Sequence, residues 1–356
     1  MTSFVQQFQQ SIQDGFINRP AVDVHNSQMT DTFVINAAVI DDAIVRVPTC
    51  VIMALTLEDQ LAGLADAIMT INLCGMRPHE LHSESAINQL CSAQDEVYVS
   101  SGTTVDGEKY VASCLFDGHG TDDCIRAIRT HNPPIGELMT TDLDTIMTVH
   151  GTLESLGHNI SFHSGSTAAY ARLSSTSVDC CSVGDSYLYV FVNGKLAWKS
   201  TPHTMANPAE VARHSGNRNV STKADSYIKL LSEDRITQSP DGLRTIFAIG
   251  GVRLVPSMSL GHRNVTGIAP ERFHLDVKPT DFVRVVGMSD GVHDMLYLDG
   301  FNDNRMLMTS SAEELVNLAH QRYSQEWTLV HAGRDYPKQR IGPTEWDDCS
   351  VFVLAH

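Results

Sequence analysis

Several features are missing from this sequence of 356 residues, and each absence narrows the possibilities. Basic residues are scarce: 25 Lys and Arg stand against 42 Asp and Glu, a net charge of −17. A nucleic-acid surface needs clustered Lys and Arg, so that class is set aside. No apolar run approaches the roughly 20 residues of a membrane span. Met1 to Gln13 is polar and amphipathic, without the basic start and apolar core of a signal peptide. The eight cysteines include no C-x-x-C pair, which argues against thiolate zinc. Cys114, Cys180, Cys181 and Cys349 lie in apolar, strand-like runs, which fits free, buried thiols of an intracellular protein, cytoplasmic or nuclear. No internal repeat or low-complexity tract stands out, and the three N-x-S/T sequons, at Asn159, Asn219 and Asn264, read as chance.

The sequence does contain a concentrated chemical signal. Asp117-Gly118-His119-Gly120 joins a metal-grade carboxylate, two glycines and a histidine in four consecutive positions. Lys109 to Phe116 before it is apolar and predicts a buried strand. Thr121 to Thr130 after it predicts a helix, with Thr121 as cap, acids in the first turn, and Ile125 and Ile128 on one face. Asp117 is thus expected where a strand ends and the chain turns toward a cleft. Asp290 follows the apolar run Phe282 to Met288, and Asp347 precedes Cys349 to Leu354. Three strands can therefore deliver carboxylates to one rim. Hard cations such as Mg²⁺ and Mn²⁺ prefer such oxygen ligands. Two of them about 3.5–4 Å apart can bind a phosphate and ionise a water. The acidic excess is either partly gathered around such cations or simply a solvated surface.

Elsewhere, residues 1–75 form a leading segment. Phe33 to Val47 predicts one or two strands, and Leu55 to Ile71 has helix spacing. Its apolar content predicts that it packs rather than trails free. From about residue 88 strand signals dominate. Tyr187 to Val192, Asn193-Gly194 and Lys195 to Trp198 predict a hairpin, and the Tyr187, Tyr189, Phe191 alternation predicts packing. Ser311-Ala312-Glu313-Glu314 predicts a capping box. Residues 214–250 are polar and weakly patterned, and predict a long surface excursion.

The ordered motifs between about 90 and 355 resemble the metal-dependent serine/threonine protein phosphatases of type 2C. Asp117-Gly118-His119-Gly120 is similar to that family's signature. Gly165-Ser166-Thr167-Ala168, Val183-Gly184-Asp185-Ser186 and His203 with Asn207-Pro208, Glu210 and Arg213 resemble its next elements. Ser257-Met258-Ser259-Leu260-Gly261-His262, Ser289-Asp290-Gly291 and Asp347-Asp348-Cys349 follow in the family's order.

The resemblance implies an α+β fold, a four-layer α-β-β-α sandwich of two antiparallel sheets flanked by helices, over residues 76–356. It implies two Mg²⁺ or Mn²⁺ ions, with Asp117 bridging, the Gly118 carbonyl on one ion, and Asp290 and Asp347 completing the second. Asp95 fits a further acid, and Asp185 and Asp294 match carboxylates for a weaker third ion. Each of those last two has a plainer reading, Asp185 as a hairpin-turn residue and Asp294 as a cap. His119 would protonate the leaving oxygen, and the metals would supply hydroxide for direct attack without a phosphoenzyme. The implied substrates are phosphoserine and phosphothreonine in proteins, with no nucleic-acid or membrane partner and a monomer expected.

The departures are local. Where the family carries an Arg before an acidic pair, this chain reads Ala93-Gln94-Asp95-Glu96. The phosphate-gripping arginine is then Arg77 on a longer loop, or absent. Met258 and His262 replace the usual Arg and Asp, and His293 stands where Trp is common. These changes keep open a second class of function, a catalytically impaired pseudophosphatase acting as a binding or scaffold protein.

Overall fold

The structure is a computed structural model, and it describes residues 39–40, 43–44, 80–90, 92–104, 106–130, 160, 162–218, 220–232, 234–249, 252–262, 266–296, 304–343 and 346–356. The chain divides into two compact units, Met1–Leu64 and Ala65–His356. In the first, β1 (Val39–Ile40) pairs antiparallel with β2 (Ala43–Ile44), within the span predicted to hold one or two strands. The helix expected over Leu55 to Ile71, the packing of residues 1–75, and Arg77 lie outside the described residues.

The second unit is mixed α+β, built mainly from antiparallel sheets with few helices. One sheet is ordered β14 (Leu260–Gly261), β6 (Ser164–Ser166), β5 (Lys109–Gly120), β7 (Ala168–Ser174), β8 (Ser177–Val183) and β15 (Glu271–Asp276), with β4 (Asp95–Thr103) also paired to β5. A second is ordered β10 (Lys195–Lys199), β9 (Tyr187–Val192), β16 (Val283–Met288), β19 (Cys349–Ala355) and β3 (His82–Asn88).

Side chains of a strand alternate between its faces, and here the alternation builds a layered core. Val111 and Leu115 of β5 meet Val190, Val285 and Phe352 of the second sheet in one buried cluster between the sheets. The intervening Ala112, Cys114 and Phe116 point the other way, onto Ile125 and Ile128 of α1 (Asp123–Thr130). On the far side, Tyr189, Phe191, Val286, Met288, Val351 and Val353 pack with α3 (Asp290–Leu296) and α5 (Ala312–Ser324). The order helix, sheet, sheet, helix is the four-layer arrangement expected, and the tyrosine alternation is packing. The five described cysteines, Cys114, Cys124, Cys180, Cys181 and Cys349, are free and buried.

Local signals were largely obeyed. Asn193 (φ 51°) and Gly194 (φ 75°) form the β9–β10 turn, where both central residues need the left-handed region. Asn207 caps α2 (Pro208–His214) by accepting from the Ala209 N–H, and Ser311 and Glu314 form the full capping box of α5. A short helix, α4 (Arg305–Thr309), precedes it.

Three expectations are corrected. The strand bearing Asp117 runs on through Gly120, because β6 pairs with Gly118, His119 and Gly120 and extends the ladder. Thr121 does not cap α1; its hydroxyl donates to Asp123, and the Cys124 N–H donates instead to Ser164 Oγ across the strand (2.8 Å). Residues 214–250 hold two long strands rather than a structureless excursion. These are β11 (Val220–Ser232) and β12 (Arg235–Ile249), joined in a third sheet by β13 (Val252–Leu254), β17 (Trp327–His331) and β18 (Arg334–Gln339). The β12–β17 pairing is parallel. β11 and β12 pair chiefly with each other as one long hairpin, and β17 runs alongside only the first residues of β12.

Candidate active site

The first two sheets deliver acidic residues to one cleft of about 470 Å³. Asp117, Gly118 and His119 come from the last turns of β5, and Asp185 from the turn after β8. Asp290 opens α3, and Asp347 directly precedes β19; all of these line the cleft. The structure thus brings the carboxylates Asp117, Asp290 and Asp347 of the three strand ends to one cleft, together with Asp185.

Asp95 lies beside them rather than on the cleft lining. It is the direct cross-strand partner of Asp117, is 1% exposed, and its Oδ2 has no hydrogen-bond partner. Asp294 is not among the cleft-lining residues; its carboxylate sits 3.6 Å from His293 Nδ1. His293, in the place of an expected Trp, stacks on Tyr187 with ring centroids 3.4 Å apart.

The electrostatics follow from this crowding. Burial, then the negative fields of Asp95, Asp290, Asp347 and Asp185, hold Asp117 well above the usual carboxylate range. Asp347 is raised by burial, then by Asp290 and Asp95. Asp95 is pushed up to about 7, chiefly by burial; Ser350 opposes the shift, and Asp348 and Asp290 add to it. Like charges in a site of low dielectric resist ionising together unless a cation joins them. The donors are oxygen-only, and one buried oxygen waits without a partner, so the set fits a hard divalent ion. Among the described residues, no three His, Cys, Asp or Glu side chains already close around one point as a bound ion would draw them.

Neighbouring backbone is fixed by groups the sequence reading did not assign. Asp348, 2% exposed, accepts from the Leu90 N–H (2.7 Å), the Ser92 hydroxyl (2.7 Å) and the Gln94 N–H (2.8 Å). It thereby holds the approach to Asp95, while its neighbour Asp347 faces the cleft. Gln94, the replacement for the usual acid, donates to the Gly120 carbonyl (3.2 Å). A Cβ on Gly118 would lie 2.3 Å from Ile125 Cγ1 and 2.8 Å from the Gln94 carbonyl, so only glycine fits there. Thr167 accepts the Asp117 N–H at its hydroxyl (3.3 Å), donates its own N–H to the Asp117 carbonyl (2.8 Å), and meets the Ser186 hydroxyl at 2.6 Å.

His119 stacks on His262 with centroids 4.9 Å apart. His262 Nδ1 bonds the Phe162 carbonyl (2.7 Å), and the Nε2 atoms of both rings are buried without a partner. Burial, then His262, lower His119 to about 3. A ring lowered this far is neutral near pH 7.

The cleft also contains Arg253, on β13, together with His163 and Thr167. Arg253 went unassigned in the sequence. Its only signal was a basic residue in a short apolar strand, four positions before Ser257.

The chain matches no family model and no curated protein sequence. Solved structures do resemble it. A C. elegans sex determining protein is 15% identical with a TM-score of 0.47, over 84% of this chain and 71% of that one. The S. agalactiae serine/threonine phosphatase is 15% identical with a TM-score of 0.46, over 77% of this chain and 99% of that one. The catalytic domain of the serine threonine protein phosphatase PstP, in complex with two manganese ions, is 14% identical with a TM-score of 0.41, over 77% and 97%. Several of the structural neighbours are serine/threonine phosphatases, among them a serine-threonine phosphatase 2C from Toxoplasma gondii.

Proposed function

We propose that the chain hydrolyses phosphoserine and phosphothreonine esters in proteins with Mg²⁺ or Mn²⁺ as cofactor. One observation carries the reading: Asp117, Asp185, Asp290 and Asp347, from four separate elements, line one cleft together with His119. Carboxylates pushed this far from ionising are costly to gather, and a divalent cation repays the cost.

Asp117, Asp290 and Asp347, with the Gly118 carbonyl, would hold the ions, and Asp95, Asp185 and Asp294 are the further carboxylates of the proposal. When bound, such ions neutralise phosphate charge and acidify a water.

The chain's own groups do the rest. The paired bonds from Thr167 to the Asp117 backbone keep that carboxylate from shifting as charge enters. The Asp348 bonds to Leu90 and Gln94 fix the strand entrance behind Asp95. His119 is positioned by the His262 ring to meet the leaving Ser or Thr oxygen. A phosphate dianion beside a neutral imidazole raises its proton affinity and returns it toward the acid role.

The scaffold reading draws on Ala93-Gln94, where the expected arginine is missing. Hydrolysis of a phosphothreonine peptide with Mn²⁺, with Mg²⁺ and with EDTA, beside Asp290→Asn, separates the two. Metal-dependent turnover lost in the variant supports the phosphatase. No turnover by folded protein at millimolar metal, together with no calorimetric Mn²⁺ binding, favours the scaffold.

A further inference from the structure

We propose that Arg253 grips the substrate phosphate, taking the role left open at Ala93-Gln94. The inference rests on the phosphatase reading and deepens it.

Charge balance comes first. The cleft lining carries four aspartates, Asp117, Asp185, Asp290 and Asp347. Two divalent cations would offset these charge for charge, leaving no surplus for an incoming phosphate dianion. Among the described residues that line the cleft, Arg253 is the one Lys or Arg. A guanidinium there restores a net positive field, and its planar fork matches two phosphate oxygens at once.

Placement comes second. Arg126, Arg129 and Arg213 lie off the cleft lining. Arg126 pairs with Asp122 and Asp123 on the exposed side of α1. Arg129 pairs with Glu96 and donates to the Ala93 carbonyl. Arg129 therefore covers the very backbone where the missing arginine would stand. Arg213 is spent on Glu210 and on the Ser257 and Thr266 carbonyls. Arg253 lies on β13, in register with Ala248 of β12, and lines the cleft with an exposed side chain. The strand is anchored by Leu254, which is buried against Phe247, so the backbone under the guanidinium is fixed. The third sheet thus brings its own cation to the acidic rim.

The test compares Arg253→Ala, Arg253→Lys, Arg77→Ala and the unaltered full chain, each checked for an unchanged melting temperature. With a phosphothreonine peptide and Mn²⁺, Arg253→Ala should raise KM about tenfold or more and leave kcat within about threefold. That pattern marks binding shared by ground and transition states. Arg253→Lys should recover part of the loss, since a point charge replaces the fork. An unchanged KM in Arg253→Ala, or a KM rise found in Arg77→Ala instead, overturns the assignment.

Inorganic phosphate titrated calorimetrically in the presence of Mg²⁺ gives a second readout that needs no turnover. Binding by the unaltered chain that weakens about tenfold in Arg253→Ala supports the proposal, even if hydrolysis fails and the phosphatase reading falls with it. Equal phosphate binding by both, or none by the unaltered chain, overturns it.

Discussion

Asp95 and Asp117 stand directly opposite one another across the β4–β5 ladder, both drawn out of water. Two acids side by side destabilise the fold that holds them, and this has measurable consequences.

The first concerns pH. In the metal-free protein Asp95 titrates near 7 instead of the usual 3.8. Between those values the native state keeps a proton that the unfolded chain has lost. Stability therefore falls as pH rises from about 4 to about 7. Melting temperatures of EDTA-treated protein at pH 5 and pH 7.5 should show this drop, and Asp95→Asn should reduce it, with Asp117 and Asp347 supplying the remainder. A slope unchanged by the substitution removes Asp95 as its source.

The second concerns the trade between stability and activity. Asp117→Asn removes a carboxyl whose ionisation the folded chain opposes, so the metal-free variant should melt higher than the unaltered chain at pH 7.5. Its Mn²⁺-dependent phosphopeptide turnover should drop by at least about 100-fold. A variant both less stable and equally active contradicts the reading of the cluster.

Asp348 is expected to be structural. It accepts three hydrogen bonds while 2% exposed. Asp348→Ala orphans the Leu90 and Gln94 N–H groups and should cost about 3 kcal/mol in chemical denaturation. A loss below about 1 kcal/mol would show that water replaces the carboxylate.

Phe352 is fully buried between the two main sheets. Phe352→Ala should cost about 3–5 kcal/mol by the lost burial and the cavity left behind. Ser311→Ala, which removes the α5 cap at an exposed position, should cost only about 1 kcal/mol. The contrast between the two, read by urea unfolding, separates core packing from helix capping.

Short-range rules made much of this legible in sequence. The period-two pattern of Val111 to Phe116 already separates the side chains that face the other sheet from those that face α1. Asn193-Gly194 and Ser311–Glu314 carry their geometry in four residues or fewer. Asp117, Asp290 and Asp347 were recognisable because each abuts an apolar strand, and strand ends share a rim. What stayed hidden depends on distant partners. Thr121 lost its capping role to Ser164, 43 residues away. The lowered proton affinity of His119 comes first from its burial and then from His262, brought beside it from far downstream. Arg253 is one arginine among many until the third sheet sets it at the cleft.

The pairing of β3 with β19 has a consequence for how the molecule is made. The Leu90 N–H and the Asp348 carboxylate that binds it are 258 residues apart, and Asp347 stands at the threshold of the later strand. A ribosome delivers the earlier acids long before that partner emerges. Asp95 and Asp117 can pair early, because β4 and β5 are neighbours, but the rim stays one carboxylate short until Asp347 arrives. In a nascent chain the acidic cleft is therefore incomplete until the second sheet closes.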